Sequence, residues 1–352
     1  MDCHAGRGTE TRLTVLTGMR MTKRPRLGHG AEFDRINSIV AAANAQVDDR
    51  VILGPGDDAA VVRIPAGEHA VLSCDLSVED VHFRRAWLTW EEIGWRATAS
   101  ALSDLAAMGA RPLGALLAVA LAPELDTAVA ESLAAGAGEC LRRFDSVLLG
   151  GDLSRSPGPA VVDVSVLGSV EVPLSRAGAQ PGDEVWVTGW LGGAAAASAS
   201  WAAELEPDVR ARRAFAGPVP RLSEITWLRG QATIRSAIDL SDGLAGDAGH
   251  IAAASEARLV LDLDEIPLHA VLGEFTDRAV ARRIAIAGGE DYELLVTAEP
   301  GQLESLRREF ETEFDVPLTR IGRVETGHGV AWVDDSGSEA PMPAGGFDHF
   351  AD

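Results

Sequence analysis

The chain has 352 residues, 46% of them hydrophobic, and a formal net charge of −22, which suits two domains or one large α/β unit whose core needs no covalent staple. The negative balance argues against a nucleic-acid backbone as partner. Three cysteines without paired spacing (Cys3, Cys74, Cys140) point to a reducing, cytoplasmic setting, and no run of about 18 apolar residues proposes a membrane span. The only lysine is Lys23, which removes a Walker loop, a protein-kinase strand lysine and Schiff-base chemistry together. Any phosphate chemistry must run on metal ions, backbone amides and arginines.

Residues 1–28 are polar and Arg-rich without an apolar h-region. They read as a disordered extension, or as an overlong start with Met19 or Met21 as initiator, and not as a secretory signal. Residues 51–64 read as strand, Gly-rich turn and strand, and 70–75 as a short strand ending on Asp75. Thr89 with Glu92 forms a capping box, followed by Ile93, Ala97, Ala101, Leu105 and Met108 at helical spacing and by Gly109 as the stop. A buried-type strand over 113–121, a helix over 124–143, a strand at 146–149 ending in Gly150-Gly151-Asp152, and a strand at 160–170 complete the first half.

The stretch 171–183, with Pro173, Pro181 and Gly182, is the best boundary, giving domains 29–172 and 173–352. Beyond it come strand 184–189, an Ala-rich helix over 191–204 and a polar segment to about 218. Strand 236–240 runs through Ser241-Asp242-Gly243 into helix 244–255. Strands 258–262 and 291–297, helix 302–313 and strands near 318–324 and 329–333 follow, so the fold class is α/β with mixed sheets. Tyr292, the one tyrosine, reads as a core residue.

Five acidic spots share one grammar, an apolar run closing on aspartate beside Gly, Ser or another Asp. They are Asp57-Asp58, Asp75 after Ser73-Cys74, Asp104, Asp152, and the pair Asp239 and Asp242. Singly, each is ordinarily a turn or cap in which Asp bonds its own backbone. Asp104 differs: it stands within an apolar helix between Leu102 and Leu105, where a buried carboxylate requires a partner. Carboxylates converging at a sheet rim repel one another, and hard divalent cations bound by oxygen are the usual relief.

Eight segments resemble the thiamine-monophosphate kinase family: GPGDDAAVV, SCDLSVEDVHF, ALSDLAAMGARP, LGGDLSRSP, SRAGAQPGDEVWVTG, AIDLSDGLAGDAGHIA, GGEDYELL and GFDHF. They stand in the family's order over about residues 32 to 350. The wider superfamily, with aminoimidazole-ribotide synthetase, selenophosphate synthetase and the hydrogenase-maturation dehydratase, shares the GDD-like and DLSDG-like pieces. VHF with SDLAAMGA, and GGEDYEL with GFDHF, are more specific. A non-catalytic nucleotide-binding dimer is the rival from another class.

The resemblance implies a two-domain aminoimidazole-ribotide synthetase-like fold whose N-terminal sheets pair into a barrel-like homodimer. ATP would lie between the domains with several Mg2+ ions, K+ being an optional addition, and would pass its γ-phosphate to thiamine monophosphate. Carried over by motif, Asp58, Asp75, Asp104, Asp152, Asp239 and Asp242 resemble magnesium ligands, with Ser73 and Cys74 able to add oxygens. Asp58, Asp75, Asp152 and Asp242 would be the catalytic core of that set. Gly151, Asp152, Arg176 and Ser241 resemble ATP contacts, and His82, Glu290 and Phe347 resemble contacts to the acceptor. Cys74 stands where Thr or Ser is usual, and a thiol is a poor magnesium ligand, so only its backbone is expected to act. Phe347 offers a ring face but no hydrogen bond.

Overall fold

The computed structural model describes residues 31–43 and 48–341; the extension assigned to 1–28 and the acceptor contact assigned to Phe347 lie outside them. In the first half run α1 (Ala31–Ala42), β1 (Val51–Leu53), β2 (Val61–Val62), β3 (His69–Val78), α2 (Trp90–Ala107), β4 (Arg111–Leu121), α3 (Thr127–Arg143), β5 (Leu148–Arg155) and β6 (Val161–Val170). The second half begins with β7 (Glu184–Thr188), α4 (Gly193–Ala202), α5 (Val209–Ala216), α6 (Leu222–Gln231), β8 (Ile234–Asp239) and α7 (Leu244–Ala254). It closes with β9 (Arg258–Asp262), α8 (Leu272–Phe275), α9 (Arg278–Ala287), β10 (Leu294–Ala298), α10 (Gln302–Phe314), β11 (Leu318–Glu325) and β12 (Gly329–Val333).

Both large sheets are mixed, as the sequence pattern suggested. One has the order β3-β6-β4-β5, antiparallel except for the parallel β4–β5 pair. The other has the order β12-β9-β11-β7-β10-β8, antiparallel except for β12–β9. β1 and β2 form a separate hairpin.

Helix α2 organises the molecule. Its capping box forms as expected: Glu92 donates its amide to the Thr89 hydroxyl at 3.2 Å, and the Glu92 carboxylate accepts from the Thr89 amide at 2.8 Å. Gly109, at φ 62°, takes the left-handed conformation that ends the helix. Between these ends α2 packs on β3, β6 and β4 and on α3, and also touches β8, α5 and α6. A helix covered on so many sides must be small-residue rich, and 13 of its 18 residues are buried. Gly94 and Gly136 set the approach to α3: a Cβ on Gly94 would fall 2.0 Å from the Leu133 carbonyl oxygen, and one on Gly136 1.9 Å from that of Glu91. Backbone, not side chain, fills each gap, so the spacing of the two helices is fixed there.

Four expectations change. The strand expected at 146–149 runs to Arg155, which puts Gly150, Gly151 and Asp152 inside β5 and not beyond its end. Gly151 makes this continuation feasible, since a Cβ there would meet the Leu117 carbonyl oxygen at 1.8 Å. The polar stretch before 218 contains α5, capped by the Asp208 side chain accepting from the Arg210 amide. Helices α6 and α9 have no counterpart among the elements expected from the sequence. Finally, β10 starts at Leu294, leaving residues 290–293 to a strained loop described below.

Candidate active site

The inward face of β3 turns toward α2. Ser73 and Asp75 lie half-buried on that face, while Cys74, one residue out of phase, is exposed and donates its thiol to Asp163 at 2.9 Å. Asp104, near the C-terminal end of α2, accepts a short hydrogen bond from the Ser73 hydroxyl. Asp239 ends β8 and is only 5% exposed; Asp247, in the first turn of α7, is buried as well. The Asp247 carboxylate accepts from the Asp242 amide at 3.2 Å, so the turn Leu240–Gly243 is tied to the helix it feeds.

These carboxylates sense one another. Burial drives Asp239 up to about 7, with the neighbouring charges of Asp104 and Asp75 adding to it and the Ser103 hydroxyl offsetting only part. Burial likewise raises Asp104; the Ser73 hydroxyl pulls it back, Asp75 pushes it up, and Arg176 draws it down. Asp247 rises to about 8, from burial first and then from Asp239 and Asp242, against the pull of Arg176. The arrangement is an acidic pocket between the two sheets whose charges are incompletely balanced, with the exposed Arg176 as the cation acting on it.

Asp58 and Asp152 do not join that group. Asp58 is exposed in the loop between β1 and β2, its amide donating to the Asp57 carboxylate at 2.9 Å. Asp152 is exposed in β5, and the pairings Asp152–Ala118, Ala118–Asp163 and Asp163–Leu76 put it in a row on the sheet face opposite Asp75. Among the described residues no group of three Asp, Glu, His or Cys side chains could by itself hold a metal ion. The donors do fit magnesium, which takes one or two carboxylates and fills its remaining positions with water and phosphate oxygens.

Above the Asp242 turn lies the loop Gly288–Glu293. Gly289 has no room for a Cβ, which would sit 2.3 Å from the Ser241 carbonyl oxygen. That carbonyl accepts from the Glu290 amide at 2.8 Å, and the Leu240 carbonyl accepts from Tyr292 at 2.9 Å. Glu290 and Tyr292 both hold left-handed backbone, φ 71° and 52°, a conformation that persists in non-glycine residues only when the surroundings impose it. Each acidic side chain of the loop is engaged. Glu290 pairs with Arg96 of α2, Asp291 accepts from the Gly192 amide at 2.9 Å, and Glu293 accepts from Arg221 and, at 2.7 Å, from the Thr188 hydroxyl. Tyr292 is buried, as its sequence context suggests.

His82 is half-buried in the turn after β3, its Nδ1 accepting from the Val78 amide at 3.1 Å. Beside this turn, Trp87 stacks on Trp201 of α4 with centroids 4.9 Å apart and planes at 8°. Sequence reasoning passes over Asp247, Asp291 and Arg96. Asp247 has a usable signal, a second acid in the apolar first turn of a helix. Arg96 has none, because its partner is distant in the chain.

Residues 56–170 match AIR synthase related protein, N-terminal domain, and residues 180–334 match AIR synthase related protein, C-terminal domain. A thiamine-monophosphate kinase of Escherichia coli is 36% identical over 91% of this chain and 96% of its own length. The crystal structure of thiamine-monophosphate kinase from Stenotrophomonas maltophilia superposes with a TM-score of 0.77 at 37% identity, covering 89% of this chain and 98% of that one. The chain belongs to the thiamine-monophosphate kinase family. A structure of AaThiL complexed with AMPPCP and TMP, 28% identical, aligns with a TM-score of 0.70 over 91% of this chain and 97% of its own. Structures of the hydrogenase maturation protein HypE from E. coli share the fold at 17–18% identity. Among the described residues no helix is long and apolar enough to cross a membrane.

Proposed function

We propose that this protein transfers the γ-phosphate of ATP to thiamine monophosphate, giving thiamine diphosphate by direct in-line displacement with no phosphoenzyme. The observation that carries this reading is the acidic pocket of Asp75, Asp104, Asp239, Asp242 and Asp247 between the sheets, with Arg176 acting on it and the Glu290 loop bonded to its rim. Phosphoryl transfer asks mainly for alignment and charge neutralisation. The acceptor is already a phosphate anion at neutral pH, so no general base is needed.

Magnesium, when bound, would neutralise the repulsion between donor and acceptor phosphates. Asp75, Asp104, Asp239 and Asp242 are the pocket residues that would hold magnesium ions, one or two to each ion; Asp58 and Asp152 belong to the set by motif alone and stand outside the pocket. Arg176 can fork onto phosphate oxygens, and Ser241 and Gly151 line the nucleotide. His82, Glu290 and Phe347 hold the acceptor, Glu290 accepting from the aminopyrimidine and Phe347 facing a cationic or aromatic ring.

Residues 29–172 would then be the Mg/ATP and dimerisation domain and 173–352 the domain that closes the cleft. A homodimer through the outer face of the β3 sheet is supported by apolar residues left uncovered there: Leu72 at 74%, Leu76 at 49% and Leu116 at 43% exposed. Sedimentation of Leu72→Glu should give the 37.0 kDa monomer where the parent chain gives twice that mass; a parent chain that sediments as a monomer ends the dimer reading.

The direct test is incubation with ATP, magnesium and thiamine monophosphate, with free thiamine and aminoimidazole precursors in parallel. Thiamine diphosphate should form from the monophosphate alone and cease with EDTA. ATP bound without product would point to another acceptor or to the regulatory dimer.

A further inference from the structure

Arg96 is a charged side chain in the middle of the most buried helix of the molecule, 5% exposed, with apolar neighbours Ile93, Ala97 and Ala99 fully covered. A guanidinium cannot shed its charge there, so its surroundings must supply compensation. The guanidinium carbon lies 3.9 Å from the centroid of the Phe215 ring, and the side chain donates to the Phe215 carbonyl. Among the described residues Glu290 is the single carboxylate it pairs with. The carboxylate end of this pair belongs to a residue in left-handed backbone, whose amide is bonded to Ser241 of the nucleotide turn.

We infer that Arg96 is a positioning residue for the acceptor. Clamped between the Phe215 ring and its carbonyl, it fixes the carboxylate of Glu290 in one orientation. It thereby selects a planar amine donor, such as an aminopyrimidine, over acceptors without one. This rests on the assignment of Glu290 to the acceptor under the proposed function. Arg96 touches neither reacting phosphate; its effect passes through Glu290. It stands eight residues before Asp104, roughly 12 Å along the same helix, so one rigid element carries both the acceptor support and a carboxylate of the metal pocket.

The test uses the full chain and steady-state kinetics with thiamine monophosphate varied at saturating ATP, then the reverse. Arg96→Met should raise KM for thiamine monophosphate at least tenfold, with a much smaller fall in kcat and an unaltered KM for ATP. Arg96→Lys keeps the charge but loses the fork and the stack, and should recover only part of the loss. The double variant Arg96→Met/Glu290→Gln should be no worse than Glu290→Gln alone, since both remove one device.

The inference is overturned if folded Arg96→Met leaves that KM unmoved, if the two losses multiply, or if both substrates weaken together. Should Arg96→Met not fold, the comparison of Arg96→Lys with Arg96→Lys/Glu290→Gln decides in the same way. A Glu290→Gln variant with unchanged KM for thiamine monophosphate would instead refute the assignment of Glu290, and a parent chain inactive on thiamine monophosphate would refute the proposed function.

Discussion

Asp239→Asn should lower turnover by about a thousandfold or more and, in metal-free buffer, should make the folded chain more stable at neutral pH than its parent. Both effects have one cause. Asp239 is buried beside Asp104 and Asp75, and its carboxyl titrates near 7 in place of the ordinary 3.8. Between those two values the folded chain holds a proton that the unfolded chain has released, so the stability of the parent falls as pH rises and the fall is complete only above pH 7. Asp247, raised to about 8, extends the decline.

The effect is of the order of a few kcal/mol, because each tenfold change in proton affinity between the folded and unfolded chain is worth about 1.4 kcal/mol. Asparagine carries no charge to desolvate and takes its share of this penalty away. Thermal melts in EDTA from pH 5 to 8 should therefore show a falling midpoint for the parent and a flatter curve for Asp239→Asn, with magnesium and nucleotide restoring the parent. A parent curve that is level over this range would contradict the crowding of charge in the pocket. Full turnover by the variant would remove Asp239 from the magnesium ligands.

Arg221→Ala should cost about 3–5 kcal/mol in chemical denaturation, more than any surface change in the molecule. Arg221 is mostly buried and reaches two carboxylates, Glu293 at 2.6 Å from its Nε and Glu224 at 3.2 Å. Both acids are also buried. Truncation leaves Glu293 with the Thr188 hydroxyl and no cation, and an unpaired charge in that setting is costly. Glu293 also anchors the C-terminal end of the loop that carries Glu290, so the acceptor should bind more weakly in whatever fraction remains folded. Glu293→Gln in the same chain should recover much of the stability, because the charge that lost its partner is gone. Equal midpoints for the parent and Arg221→Ala would show that the pair contributes nothing.

How far the sequence could be read followed from how local each signal was. The capping box at Thr89, the stop at Gly109 and the turn at Ser241–Gly243 depend on neighbours a few residues away, and they stand where the pattern puts them. Ser73, Asp75, Asp104 and Asp239 are likewise legible as members of one group, and the structure brings them together. Asp58 and Asp152 carry the same local grammar but lie elsewhere: Asp58 stands in the loop between β1 and β2, and strand phase and pairing put Asp152 on the other face of its sheet.

Helices α5 and α9, 8 and 10 residues long, are shorter than the ~11 residues over which a hydrophobic period is read, although Asp208 and Asp277 cap them with side-chain bonds to the amides of Arg210 and Val280. The support for Glu290 is unreadable for a different reason. Glu290, its partner on α2 and the ring under that partner come from three separate parts of the chain, joined only by tertiary packing.

Helix α2 lies against strands of both sheets, and this has a consequence for how the molecule comes apart. Neither half can lose its structure without exposing one side of that helix, so the halves should melt in a single cooperative transition and not as two separable units. The element that carries Arg96 and Asp104 is then released only with the whole fold, and loss of activity on heating should track global unfolding.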